Sequence, residues 1–246
     1  LVQTPMSHQP SPDATLVILT GAGISAESGL RTFRAEDGLW EEHRIEDVAT
    51  PEGFRRDPDL VHRFYNERRR RLAEAQPNPA HEALARLEAT WPGEVLLVTQ
   101  NVDDLHERAG TRNLVHLHGE LLKARCEACR NVVPWPGDLD RTTVCPGCSC
   151  SGRMRPHIVW FGEMPLELDR VGEALARCAL FAAAGTSGHV YPAAGFVELV
   201  EIKTHTVELN LQPSAISHAF REQHLGFATE TVPRWVEGLL QGIGRS

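Results

Sequence analysis

The run Thr15–Thr20 (TLVILT), followed at once by Gly21-Ala22-Gly23-Ile24-Ser25, constrains the fold of this 246-residue chain more than any other feature. A short, β-branched apolar run that ends in a glycine turn reads as a strand buried on both faces, as in parallel sheets. The form recurs at Glu94–Thr99, Leu114–His116, Leu180–Ala184 and Thr206–Leu211. Between these runs lie stretches with helical periodicity, such as Pro79–Thr90, where Ala83, Leu84 and Leu87 share one face. Alternating strands and helices predict an α/β fold, a Rossmann-like doubly wound parallel sheet. Two segments interrupt the alternation. Residues 35–75 carry no strand pattern and read as helical, with a basic run Arg68–Arg71, while residues 120–157 are rich in cysteine and turn formers. The expected organisation is a flexible leader (1–14), a large sheet domain (15–34, 76–119 and 158–246), and a smaller domain made of a helical module (35–75) and a cysteine module (120–157).

Composition narrows the class. With 41% hydrophobic and 24% charged residues the chain can bury a sizeable core and has no signature of disorder. A net charge of −8 argues against a nucleic-acid-binding surface. No apolar run approaches the ~20 residues that span a bilayer, so no membrane role is expected and a cytoplasmic setting is the default.

Five of the six cysteines fall between Cys126 and Cys150. Without an export signal, such a cluster favours metal over disulfides. Cys126-x2-Cys129, fifteen residues, then Cys145-x2-Cys148 is the spacing of a four-thiolate zinc ribbon. Four thiolates fill a tetrahedral shell, so one structural zinc ion is expected and the small domain reads as a zinc-ribbon plus helical lobe. Cys178 stands apart in an apolar stretch and reads as a buried thiol.

The glycine loop permits close approach of backbone to a pyrophosphate, but glycine turns after a first strand occur in many α/β proteins. A hydride-transferring dehydrogenase needs a second strand ending in an acid ~20 residues further on. Arg31 to Trp40 offers no such strand. Gln100-Asn101-Val102-Asp103 follows a strand, at the edge where α/β sheets bind ligands, although an Asn-x-Asp turn also serves as a helix cap. His118, before Gly119, is suited to accept a proton near neutrality. His116 points the other way on a continuing strand, and the residues alone do not choose between the two.

The ordered set GAGISAESGLRTFR, DGLW, Gln100-Asn101-Val102-Asp103, His118-Gly119, the Cys-x-x-Cys pairs, Arg155-Pro156, Phe161-Gly162-Glu163, Gly185-Thr186-Ser187 and Asn210 resembles the sirtuins over about residues 15–235. The resemblance is greatest to the bacterial and mitochondrial branch that removes acidic acyl groups. It implies an NAD-dependent protein-lysine deacylase that expels nicotinamide and passes the acyl group to ADP-ribose. It selects His118 as the base that activates a ribose hydroxyl, with Asn101 as its catalytic companion. NAD contacts are implied for Gly21, Ala22, Gly23, Arg34, Gln100, Asn101, Asp103, Gly185, Thr186, Ser187, Asn210 and Ala228. Acylated lysine side chains would enter on extended peptides, against Val159, Phe161 and Gly162. For the metal, the family's distance to Arg-Pro points to Cys150 as fourth ligand beside Cys126, Cys129 and Cys145, whereas plain spacing points to Cys148.

Tyr65 and Arg68 stand at i and i+3, so on a helix they share a face. A guanidinium binds a carboxylate bidentately and a phenol adds a donor. The pair resembles the Tyr-x-x-Arg of desuccinylating and demalonylating sirtuins, with Ala49 where a small residue widens the acyl pocket; the plainer alternative is an exposed basic run. Two rival functions share parts of this pattern. A mono-ADP-ribosyltransferase uses the same NAD chemistry but has no need of a carboxylate clamp, and an NAD-sensing zinc-ribbon module would leave His118 idle.

Overall fold

The structure, a computed structural model, describes residues 9–31, 39–40 and 43–243. In chain order its strands are β1 (Leu16–Thr20), β2 (Leu39–Trp40), β3 (His43–Arg44), β4 (Val95–Thr99), β5 (Leu114–His116), β6 (Gly119–Cys126), β7 (Val132–Pro134), β8 (Met154–Ile158), β9 (Leu180–Ala184), β10 (His205–Asn210) and β11 (Glu222–Leu225). Six of them form one sheet in the order β11-β10-β9-β1-β4-β5, and every pairing within it is parallel. All five residues of β1 are buried. Leu16 and Ile18 face one apolar cluster with the helices Pro79–Thr90 and Ala228–Ile243, while Val17 and Leu19 face a second with the helix Leu168–Arg177. Burial on both faces is why these strands read as unbroken apolar runs rather than alternating ones. Each fully buried Leu, Ile or Val contributes roughly 1.5–3 kcal/mol by leaving water.

From β1 the chain builds outward through β4 and β5, then returns to the other side of β1 and builds through β9, β10 and β11. The order therefore reverses between β1 and β9, and a crevice opens there at the carboxyl ends of the strands. Thr20, Thr99 and Ala184 lie in register at that edge.

The two interrupting segments carry more strand than the sequence suggested. Residues 35–75 include the hairpin β2–β3, each strand two residues long and so too short to show a period, before the helix Pro58–Glu74. Residues 120–157 hold most of an antiparallel sheet in the order β7-β6-β8, with Cys126 at the end of β6. The helix Pro58–Glu74 is capped by Asp57, which accepts from the Leu60 N–H, and begins with Pro58 at its first turn. Its Val61, Phe64, Tyr65 and Leu72 pack with Leu121, Ile158 and Trp160, which joins the two segments in one apolar cluster. Residues 9–14, read as the end of a loose leader, pack on the body instead: Gln9 donates to the Leu239 carbonyl and Trp91 Nε1 to the Ala14 carbonyl. No described helix is long and apolar enough to cross a membrane.

Candidate functional site

The glycines after β1 are required by a crossing of two loops. The Gly23 N–H donates to the Gly185 carbonyl at 2.8 Å, and the Gly21 N–H to that of Ala184 at 3.0 Å. A Cβ on Gly21 would lie 2.7 Å from the Gly185 oxygen, and one on Gly185, whose φ is +64°, would lie 2.3 Å from the Ile24 nitrogen. Only glycine fits on both sides of this contact. The crossing forms the floor of a cleft with a volume of about 1330 Å³, lined also by Ala22, Thr186, Ser187, Asn210 and Ala228. That exceeds the ~300–1,000 Å³ of common small-molecule sites and leaves room for a dinucleotide together with a second reactant.

At the next strand edge, polar side chains are tied into a directed chain. The Asn78 N–H donates to Nδ1 of His81, which leaves the ring's hydrogen on Nε2 to face Ser25 Oγ at 3.3 Å. Asn101 Nδ2 also donates to Ser25 Oγ, at 3.1 Å, and the Ser25 hydroxyl donates to Asp103 Oδ2 at 3.1 Å. Burial pushes the Asp103 carboxyl up, opposed by donation from the Leu105 N–H and from Ser25. Burial alone lowers His81 to about 4, so it stays neutral. Ser25 and His81 were not singled out in the sequence, because the partners are 56 and 78 residues apart. The visible signal was a hydroxyl inside the glycine motif.

His118 donates from Nδ1 to the Gln100 carbonyl at 3.1 Å, a contact that fixes the tautomer and leaves Nε2 as a lone-pair acceptor on the cleft wall. Burial lowers its pKa, against the pull of that carbonyl. His116 lies away from the cleft. Its Nδ1 donates to the Asn101 carbonyl at 3.1 Å and its Nε2 meets Glu107 Oε1 at 2.8 Å. Two histidines, two positions apart on the chain, thus hold the successive carbonyls of Gln100 and Asn101. Gln100 Nε2 reaches Thr186 Oγ1 at 3.2 Å, and Asn210 Nδ2 donates to the Thr186 carbonyl and to buried Glu208. The cleft thereby gathers every described residue that the sequence pattern nominated for NAD. Arg34 lies outside the described residues.

The far side of the cleft is walled by Ala49, Arg68, Val159, Phe161 and Gly162. The Val159 N–H donates to the His118 carbonyl at 2.9 Å and the Phe161 N–H to that of Ala49 at 3.0 Å, so this segment is stitched to the main chain at both His118 and Ala49. Glu163 anchors it, taking both Arg155 guanidinium nitrogens, Arg125 and the Trp160 N–H. Tyr65 departs from the expected placement. It is fully buried behind the wall, and its hydroxyl accepts from Trp160 Nε1 at 2.9 Å. Burial pushes the phenol up to about 12, with the Arg68 charge acting in the opposite sense. Arg68 therefore reaches the cleft and Tyr65 backs it.

The cysteine module corrects the fourth ligand. The Sγ atoms of Cys126, Cys129, Cys145 and Cys148 all lie within 4.8 Å of one another, while Cys150 is exposed and outside the group. Cys148 follows Gly147 in a tight knuckle whose Gly147 N–H points at Cys145 Sγ, and Ser149 then turns the chain through φ +59°. The Cys150 contribution is its carbonyl, which accepts from the Cys145 N–H. Cys126–Cys148 and Cys129–Cys145 sulfur separations of 3.7 and 3.6 Å match the ~3.8 Å edge of a tetrahedron with Zn–S bonds of ~2.3 Å. The four thiols fit one structural zinc ion.

Comparison with known proteins places these features in a family. The model of the Sir2 family matches residues 21–192. The NAD-dependent protein deacylase of Escherichia coli (strain K12) is 58% identical over 231 residues, 93% of this chain and 83% of the relative. That of Yersinia pestis is 56% identical over 234 residues, 94% and 84% of the two chains. A Sir2 homologue solved in complex with NAD superposes with a TM-score of 0.85 at 39% identity, covering 93% of this chain and 90% of the other. Sir2Tm bound to a propionylated peptide gives a TM-score of 0.77 at 29% identity, covering 93% and 94%.

Proposed function

Because the chain belongs to the Sir2 family, we propose that it is an NAD-dependent protein-lysine deacylase acting on acidic acyl groups such as succinyl and malonyl as well as on acetyl. The carrying observation is one cleft with His118 on one wall and Arg68 on another, around a glycine crossing shaped for a dinucleotide. NAD supplies an electrophilic ribose carbon and nicotinamide as the leaving group. The residues act around it as follows. Gly21, Ala22 and Gly23, with Gly185, Thr186 and Ser187, offer backbone and hydroxyl groups to the phosphates. Asn210, braced by Glu208, serves the adenosine ribose, and Ala228 lines the adenine end. Asn101 and Asp103, held by Ser25, grip the nicotinamide carboxamide, while Gln100 contacts its ribose. Neutral His118 takes a ribose hydroxyl proton at Nε2, so that the hydroxyl can attack the acyl carbon.

The acyl-lysine enters as an extended peptide between 159–163 and 188–191, both of which line the cleft. Main-chain pairing gives affinity with little demand on sequence. Arg68 pairs with the distal carboxylate, and Ala49 leaves space for the longer acyl chain. Tyr65, buried behind it, holds the inner side of this helix against Trp160. Ala49 and Arg68 of the small domain, with the 159–163 segment of the large domain, form the acyl side of the cleft, and the glycine crossing of the large domain forms the NAD side.

The test is acyl preference. Steady-state turnover of matched succinyl- and acetyl-lysine peptides by the wild type and Arg68→Met should show succinyl turnover in the wild type and a fall in the succinyl-to-acetyl ratio of ~10-fold or more in the variant, as expected for a lost bidentate ion pair. An unchanged ratio rejects the acidic-acyl reading.

A further inference from the structure

The helix Pro58–Glu74 turns two polar side chains into the molecule that never reach the cleft. Asn66 is 6% and Arg69 2% exposed, and neither lines the cavity. Buried amides and guanidinium groups destabilise unless their hydrogen bonds are met. Here most of them are met, by the main chain of the cysteine module and by a bond between the two side chains, while Arg69 Nη2 has no partner among the described residues. Asn66 Nδ2 donates to the Leu139 carbonyl and Asn66 Oδ1 accepts from the Leu139 N–H, both at 2.9 Å. Arg69 donates from Nη1 to the same Asn66 oxygen and from Nε to the Leu121 carbonyl. Leu139 is 1% exposed and packs in one cluster with Cys126, Cys145 and Met154. An apolar contact would hold the helix loosely, whereas this paired hydrogen bond fixes its rotation and its position along the axis.

We propose that Asn66 is a positioning residue for acyl selectivity, tying the zinc-binding cysteines, through the Leu139 peptide, to the helix that presents Arg68. The proposal rests on the assignment of Arg68 to the acyl carboxylate. A bidentate guanidinium–carboxylate contact tolerates little displacement, and an acetyl group makes no such demand. Asn66 therefore governs which acyl group is used rather than the chemistry. Because coupling between two sites is reciprocal, a succinyl-lysine peptide should in turn slow loss of zinc.

The experiment uses the zinc-loaded full chain, as wild type, Asn66→Ala, Asn66→Asp and Arg68→Met. Succinyl and acetyl peptides are turned over with NAD. Separately, zinc release to a coloured chelator is followed without NAD, with and without the succinyl peptide. Asn66→Ala should raise KM for the succinyl peptide and lower the succinyl-to-acetyl ratio of kcat/KM ~10-fold, as expected for the loss of its two buried hydrogen bonds to Leu139 and the one from Arg69. Asn66→Asp, which keeps the acceptor and loses the donor, should recover part of the ratio. The succinyl peptide should slow zinc release in the wild type about threefold and leave Asn66→Ala unaffected. An equal fall for both peptides in Asn66→Ala means a structural role only, and a wild-type release rate indifferent to the peptide overturns the coupling; that arm and Asn66→Asp decide the matter if Asn66→Ala does not fold. If Arg68→Met retains full succinyl turnover, the acyl-pocket assignment falls and takes this proposal with it. If Arg68→Met loses it and Asn66→Ala keeps the wild-type ratio, the coupling alone is wrong.

Discussion

Lowering the pH from 7 to 5 should weaken the fold through His81, and replacing His81 by Asn should remove that part of the loss. In the folded chain the ring is wholly buried, with Nδ1 accepting from the Asn78 N–H, so there is no site for a second proton without breaking that bond. Burial holds its pKa at about 4, against 6.5 for the free side chain. Between those values the unfolded chain binds the proton and the folded chain does not, so stability is complete above pH 6.5 and declines as the pH falls toward 4. Each pH unit in that window is worth ~1.4 kcal/mol, giving a loss of about 2 kcal/mol at pH 5 and about 3 kcal/mol at pH 4. His62 is lowered to about 4 by the same cause and His106 is also strongly lowered, so the wild type should lose more than the His81 share. Urea unfolding at pH 7 and pH 5 isolates it: Asn in place of His81 shifts stability at both values, and only the difference between them matters. That difference should be about 2 kcal/mol smaller in His81→Asn. Equal losses in the two proteins refute the buried, neutral assignment.

Three further outcomes follow from the site. Burial holds His118 below its usual pKa, so the acid limb of kcat/KM should have its midpoint below the ordinary imidazole value of 6.5, and His118→Tyr should be inactive on every acyl peptide; an acid limb centred above that value contradicts this. Cys148→Ser should lose the zinc and Cys150→Ser should retain one ion per chain, measured by metal analysis after gel filtration. His116→Leu removes the donor to the Asn101 carbonyl and should raise KM for NAD ~10-fold while leaving KM for the peptide alone, about the worth of one buried hydrogen bond.

The parallel sheet was legible because both its faces are covered, so that β1, β4 and β9 appear as continuous apolar runs. β11 was not, since Glu222–Leu225 is a polar edge strand whose burial alternates and whose sequence carries no apolar signal. Pro79–Thr90 was found because Ala83, Leu84 and Leu87 recur on one face, and the structure adds the Asn78 cap at its start. At the site, the groups that line the cleft were readable from motifs near strand ends, but their supports were not. His81 meets Ser25, and Asn66 meets Leu139, only after the chain has folded back on itself. Local spacing carried the cysteines better than family distance did, because a two-residue knuckle is fixed by its own backbone bonds, as the Gly147 N–H to Cys145 contact illustrates. Arg68 lines the cleft, yet spacing could not say that Tyr65 would be buried behind it, where Trp160 Nε1 donates to its hydroxyl.

The most direct measurement is mass analysis of what becomes of NAD and a succinyl-lysine peptide after incubation with the wild-type protein. The account predicts one nicotinamide released for each lysine freed, with the succinyl group recovered on ADP-ribose and none of the ADP-ribose on protein. Nicotinamide release with ADP-ribose attached to protein and the succinyl-lysine untouched would contradict it and favour a transferase.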